Sequence, residues 1–256
     1  MNPDSQRDAG CVPRVHVAPR LAAGMHCVLP AAAGHHLTRV LRLRPGAGVV
    51  LFDGRGGEHD AIIATIGRQG VAVEVGVWRE VEREASLDVH LVQGISTGER
   101  MDFTLQKAVE LGVAGIQPVT TKRSVVRLDA VRAEKRRTHW ERVCVSACEQ
   151  CGRNRLPPVH PLQDLDTWLA SLSPPDAATA HRLLLSPDGD LSLRDLGLPA
   201  GPMLLLAGPE GGLTPAEREH ARRRGFRGIR LGPRVLRTET AALAALAAMN
   251  ALWGDF

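Results

Sequence analysis

The sequence predicts an α/β domain with a mostly parallel sheet, preceded by a small β-rich unit. Three observations carry that prediction. From Leu87 onward, short apolar runs alternate with helical patterns, as in a parallel sheet joined by crossover helices. Before that point, residues 11 to 82 hold short strands punctuated by glycine turns. Between the two, EVEREAS (80–86) is charged and lacks an apolar period, as a linker does.

The elements follow in order. HHLTRVLRL (35–43) reads as a short helical piece. VVLFD (49–53), the turn GRGG, a strand through HDAIIATI, the turn RQG and the alternating VAVEVGVW (71–78) then read as hairpin strands of a small barrel. In the second part, DVHLVQGIS (88–96) is a buried-type strand. GERMDFTLQKAVELG (98–112) is a helix with Met101, Leu105, Ala108 and Val109 on one side and Gly112 at its end. Strand AGIQPVT (114–120) precedes a long helix from about Asp129 to Cys151. Strands HRLLLS (181–186) and PMLLLAG (202–208), a helix from Pro215, strand GIRLG (228–232) and an Ala-rich terminal helix complete the domain. SPPDAATA (173–180) is the loose segment.

Composition narrows the function. At 256 residues, 23% charged and 44% hydrophobic, the chain can bury a core, and it has no run near the ~20 apolar residues of a membrane span. Its polar start is unlike a signal peptide, so no membrane association and a cytoplasmic setting are expected. Cys144, Cys148 and Cys151 share helical spacing with Trp140, Val143 and Ala147, which predicts buried thiols; the CxxC pair lacks a second ligand pair, so no metal is expected. Charge is concentrated. Lys122 to Arg142 carries eight cations against three carboxylates, and Arg222 to Glu239 seven arginines against one. Such runs point to a polyanion, nucleic acid first, although a solvated helix face accounts for many. With 3% aromatics and no tyrosine, contact through phosphates is the expectation rather than base stacking. Arg14, Arg39 and Arg42 give the small unit a positive edge, and Lys122 and Arg123 open the first run.

Two backbone-rich breaks end on helix starts. In AGPEGGLTPAE (207–217), Thr214, Pro215 and Glu217 are explained by a capping box with proline at the first helical position. That leaves Gly208, Gly211 and Gly212 around Glu210, which would let a ligand approach the backbone. In LGPRVLRTETA (231–241), Thr238 or Thr240 can cap the last helix, while Arg234 and Arg237 oppose its dipole. Residues that break a local rule are expected at functional sites. No G-x-x-x-x-G-K-[ST] or G-x-G-x-x-G follows a strand, which disfavours a nucleoside triphosphate or dinucleotide. In SACEQCGRN (146–154), Gly152 stops the helix and leaves Arg153 and Asn154 exposed on a loop, where the pair could read a pyrimidine edge; a plain C-terminal cap is equally economical.

Together, PRVHV (13–17), HHLTRVLRL, LFDG (51–54), GERMDFTLQKAVELGV (98–113), ACEQCGRN (147–154), GPEGGLT (208–214) and LGPRVLRTETAALAAL (231–246) resemble one family across both parts of the chain: the 16S ribosomal RNA uridine N3-methyltransferases of the SPOUT superfamily. The resemblance implies a PUA-like RNA-binding barrel over 11–82 and a SPOUT methyltransferase domain over 86–256 with a C-terminal trefoil knot. It implies a homodimer that uses the terminal helix, and S-adenosylmethionine held bent in the knot. The donor pocket would comprise Leu184, Gly208, Pro209, Glu210, Gly211, Gly212, Leu231, Gly232, Val235, Leu236 and Arg237. RNA would meet Arg14, Arg39, Arg42, Lys122 and Arg123. The substrate would be 16S ribosomal RNA within the 30S subunit. Two features depart from the family: an N-terminal extension of about ten residues, and no aromatic near Val15 and His16.

On this reading, uridine N3 must lose its proton before it attacks the methyl. Donors aimed at O2 and O4 would stabilise the resulting charge, with Arg153, Asn154 and Arg237 assigned to that work. Glu210, Glu239 or water would take the proton, and the base would have to be unpaired or extruded. The alternatives are another SPOUT reaction (ribose 2′-O or guanine N1 of tRNA) and a non-catalytic RNA-binding assembly protein.

Overall fold

The computed structural model describes residues 12–174 and 181–256. The N-terminal extension and most of SPPDAATA lie outside the described residues. The chain divides into two compact units, the first being the described residues up to Arg83 with Cys148–Leu156, the second Glu84–Ala147 with Pro157–Phe256.

In the first unit, β1 (Arg14–His16), β2 (His26–Val28), β3 (Gly48–Phe52), β4 (Glu58–Gly67) and β5 (Gly70–Arg79) form a sheet in the order β1-β3-β4-β5-β2. Pairing is antiparallel except between β1 and β3. The alternation read in 71–78 is realised as far as Val75: Val71, Val73 and Val75 are buried with Leu51 and Ile63 while Glu74 faces out, but Val77 is exposed. The two three-residue strands were not expected, since so short a run carries no period. The helical piece also differs from 35–43. It is α1 (Ala31–His35) continued by a π-helical turn to Val40, because three alanines follow Pro30 and extend the helix backward. It stops at Arg42, which takes φ +54 where glycine is usual, and the Leu43 amide returns to the Leu37 carbonyl.

Segment 148–156 joins this unit through a buried polar cluster. Arg14 pairs with Glu58, and its guanidinium also donates to Asn154 Oδ1 at 2.6 Å and to the Arg153 carbonyl at 3.2 Å. Asn154 Nδ2 donates to the Val81 carbonyl and to Glu58, and Arg83 donates to the Gly152 carbonyl at 3.0 Å. Burial pushes the Glu58 carboxyl up, but Arg14, Asn154 and Arg83 together hold it below the usual range.

The second unit is built on six parallel strands: β6 (Val89–Gly94), β7 (Gly115–Thr120), β8 (Gln163–Asp164), β9 (His181–Leu185), β10 (Met203–Ala207) and β11 (Arg227–Ile229), in the order β11-β9-β10-β6-β7-β8. Its helices are α2 (Gly98–Glu110), α3 (Ala130–Cys151), α4 (Leu165–Ser171), α5 (Pro215–Arg223) and α6 (Thr238–Trp253). The last turn of α3, from Cys148, groups with the first unit. Leu184 and Leu206 are buried with Val92, Val119, Leu165 and Leu169, each leucine contributing roughly 2 kcal/mol by burial. Consecutive apolar residues in β9 and β10 thus face neighbours on both sides, as their unbroken Leu runs predicted. Cys144 and Cys148 are buried and reduced, as their spacing with Trp140 and Ala147 predicted, but Cys151, expected to be buried with them, is only half-buried at the end of α3. Strand β8 and helix α4 were not expected, being too short to show a period. After β8, at one edge, the chain returns four positions across the sheet to β9, and β10 fills the gap between β9 and β6. Open parallel sheets take ligands at such a reversal, beyond the strands' C-terminal ends.

Candidate functional site

A cavity of about 630 Å³ opens at that place, wholly within the second unit. Three stretches wall it: residues 184–188 at the end of β9, the loop from Ala207 to Leu213 after β10, and residues 229–241 leading from β11 into α6. Arg100, Arg123 and Arg218 complete the lining. Among the expected donor-pocket residues, Leu184, Gly208, Pro209, Glu210, Gly212, Leu231, Gly232, Val235, Leu236 and Arg237 all line the cavity. Gly211 does not. Its carbonyl accepts from Arg123 at 3.2 Å, and an added Cβ would stand 3.0 Å from the Arg123 backbone oxygen, so this glycine permits a backbone contact rather than a ligand contact.

The loop after β10 is fixed at both ends. Glu210 Oε1 accepts from the Thr97 amide and hydroxyl, both at 2.9 Å, and from Arg100 at 3.4 Å, so it closes the N-terminus of α2 from 113 residues away. Burial raises the Glu210 carboxyl, but these donors and a backbone amide of its own outweigh it and hold the group below the usual range. A carboxylate held low is a weak proton acceptor, which counts against the role of base. Downstream, Thr214 and Glu217 form the expected capping box, and Glu217 Oε1 also accepts from the Lys122 amide at 2.7 Å. Gly94 at the tip of β6 packs flush against this loop: a Cβ there would lie 2.6 Å from the Pro209 nitrogen.

Thr238 corrects the expected cap. The residue flanking α6 is Arg237, with no side-chain cap, and Thr238 already lies in the first turn. Its hydroxyl instead donates to the Gly208 carbonyl and accepts from Gln93 Nε2 at 3.0 Å, tying the loop after β10 to the start of α6. Three of the lining residues carry a side-chain oxygen that is buried without a hydrogen-bond partner: Ser186 Oγ, Glu210 Oε2 and Glu239 Oε2. Buried polar atoms are normally satisfied, so these point to a ligand that brings hydrogen-bond donors or positive charge.

The remaining expected residues fall elsewhere. Arg153 and Asn154 are not exposed on a loop. They are buried in the first unit, are not among the cavity's lining residues, and Asn154 has both N–H groups engaged by Val81 and Glu58. Arg14, expected on a positive edge, is likewise enclosed: Glu58 neutralises it and it lies over the Phe52 ring, 5.0 Å from the centroid. Arg39 and Arg42 are exposed as expected, and so are Lys122 and Arg123, the latter at the cavity wall. Sequence reasoning missed Thr97, Arg100, Gln93 and Ser186. Thr97 before Gly98 carried a helix-start signal, but nothing in the sequence tied it to Glu210.

An RNA methyltransferase domain model matches residues 83–250, and an RNA methyltransferase PUA domain model matches 29–76. The ribosomal RNA small subunit methyltransferase E of Bacillus subtilis is 33% identical over 84% of this chain and 86% of its own length. The crystal structure of the Neisseria gonorrhoeae ribosomal RNA small subunit methyltransferase E, bound to S-adenosyl methionine, is 42% identical with a TM-score of 0.87, covering 96% of this chain and 99% of that one. A Legionella pneumophila methyltransferase in complex with bound SAM is 37% identical with a TM-score of 0.88 over the same shares.

Proposed function

Because the chain belongs to the ribosomal RNA small subunit methyltransferase E family, we propose that it moves the methyl of S-adenosylmethionine to N3 of a uridine in 16S ribosomal RNA. The proposal includes a PUA-like barrel that carries RNA, a trefoil-knotted SPOUT domain, a homodimer, and action in the cytoplasm on RNA within the 30S subunit. The observation that supports it most is the cavity itself: the two Gly-rich loops and Leu184 line one space, and its wall carries unpartnered oxygens of Ser186, Glu210 and Glu239.

Bound there, S-adenosylmethionine would supply an electrophilic methyl on a sulfonium. The chain's residues hold and orient it. Backbone groups of Gly208, Pro209, Glu210, Gly212 and the stretch 231–236 would face its ring and sugar, and the oxygens of Ser186 and Glu210 would accept from its hydroxyl and amine groups. The pinned loop after β10 keeps the geometry fixed, which is where much of the rate arises in an in-line transfer. Arg237, exposed and without a carboxylate partner among the described residues, stabilises the charge that uridine gains on O2 and O4 as N3 loses its proton. With Glu210 engaged by Thr97 and Arg100, that proton leaves to Glu239 or to water. Arg153 and Asn154 take a supporting part, holding segment 148–156 in place.

The test is nucleoside mass spectrometry of 16S RNA and of 30S particles incubated with the protein and methyl-labelled donor. Label in N3-methyluridine is the expected result. Label in a 2′-O-methylated nucleoside or N1-methylguanosine would replace the reaction, and no label with no thermal shift on donor addition would return the chain to a non-catalytic binding role.

A further inference from the structure

The cavity wall carries three carboxylates, and two are already matched. Glu210 pairs with Arg100 at 3.4 Å, and Asp188 with Arg218 at 3.2 Å. Glu239 has no ion-pair partner among the described residues, and its Oε2 is buried without a hydrogen-bond partner. It sits in the first turn of α6, beside the loop that carries Arg234 and Arg237. The same wall holds Arg123, Arg230, Arg234 and Arg237, none of them paired with a carboxylate among the described residues. The lining is therefore net positive, and a net positive cavity repels a cation.

Building on the methyl-donor reading, we propose that Glu239 is the charge that selects the sulfonium-bearing donor over its demethylated product. The donor and product share the adenine, ribose and amino-acid groups; they differ by one methyl and one positive charge. Contacts to the shared groups stabilise both alike and cannot discriminate. Both ligands carry the amino-acid ammonium, so a carboxylate discriminates between them only by acting at the sulfur, and at partly buried separations one such pair shifts affinity by about tenfold. Amid four unpaired arginines, removal of that carboxylate would leave a site that favours the neutral thioether and retains its own product. Selection by Glu239 thus opposes product inhibition.

Calorimetric titration of the full chain tests this with three ligands: S-adenosylmethionine, S-adenosylhomocysteine and sinefungin, whose amine places a positive charge near the sulfonium position. In Glu239→Gln, the two cationic ligands weaken by about tenfold while S-adenosylhomocysteine changes by less than about twofold. Glu239→Asp, which keeps the charge, retains the wild-type order of affinities, and thermal unfolding shows whether each variant is folded. Equal losses for all three ligands, or an unchanged ratio in Glu239→Gln, overturn the proposal alone. If the wild-type chain binds neither donor nor product, the methyl-donor reading fails and the proposal falls with it.

Discussion

The loop after β10 engages its polar groups within the protein, whereas the loop after β11 leaves its cations facing outward. In the first, Glu210 is held by Thr97 and Arg100, the Gly208 carbonyl by Thr238 and the Gly211 carbonyl by Arg123, while Leu213 is buried beneath. In the second, Gly232, Arg234, Val235 and Arg237 are exposed, Val235 at 81%, and neither arginine has an ion-pair or side-chain hydrogen-bond partner among the described residues. Both loops precede a helix, yet the first helix has a capping box and the second begins at Arg237 with no side-chain cap. A cation in that position opposes the helix dipole by about 0.3–1 kcal/mol. The contrast separates a wall built before any ligand arrives from a wall that offers charge to one.

The largest effect should come from the outward loop. Arg237→Ala is expected to slow methyl transfer by about 10²–10³-fold, the usual loss when a donor to a developing oxyanion is removed. It should leave thermal stability unchanged or raised, because the charge removed opposed the dipole. Single-turnover rates and a melting curve read both signs; a fall in stability with intact turnover would break the distinction between the loops. The inward loop should respond the other way. Gly94→Ala forces a methyl to within 2.6 Å of the Pro209 nitrogen and should cost about 1–3 kcal/mol of stability while weakening donor binding. Gly232→Ala, in the outward loop, meets nothing within 4 Å, so its cost is only that of a left-handed residue at φ +80, about 1 kcal/mol. Equal penalties at the two glycines would show that the first loop is not the more tightly fixed.

That difference explains what was legible in the sequence. Features set by neighbours along the chain were readable: the Leu runs of β9 and β10, the period of β5, the capping box of Thr214 and Glu217, and the thiols of α3. The two glycine-rich breaks showed a place where backbone could meet a ligand. Features set by partners far along the chain were not. Thr238 looked like a cap because local spacing allows it, but Gly208 and Gln93 claim its hydroxyl. Asn154 and Arg14 looked available because a loop and a positively charged edge are normally wet, but Glu58, from a third element, draws both inward. The motif resemblance named ten of the residues that line the cavity, because all but Leu184 cluster in two short stretches of the chain. It carried no information on which polar atoms there are already matched.

The smallest effect concerns how Glu210 fixes the inward loop. Glu210→Gln keeps the shape but loses the charge that strengthens the bonds from Thr97 and Arg100, so the expected loss is about 1 kcal/mol. The dependence on pH tests the cause. Donors hold the wild-type carboxyl below the ordinary glutamate value of about 4.5. A depressed folded value means the contribution is complete above the unfolded value and is lost as pH falls through the folded one. Wild type should therefore lose this increment only below about pH 4.5, and the gap between wild type and Glu210→Gln should close there. Glu58, also held low, remains in both proteins and cancels in the comparison. If the gap persists at low pH, the side chain acts through packing, and the inward loop is held by Thr238 and Gly94 without help from charge.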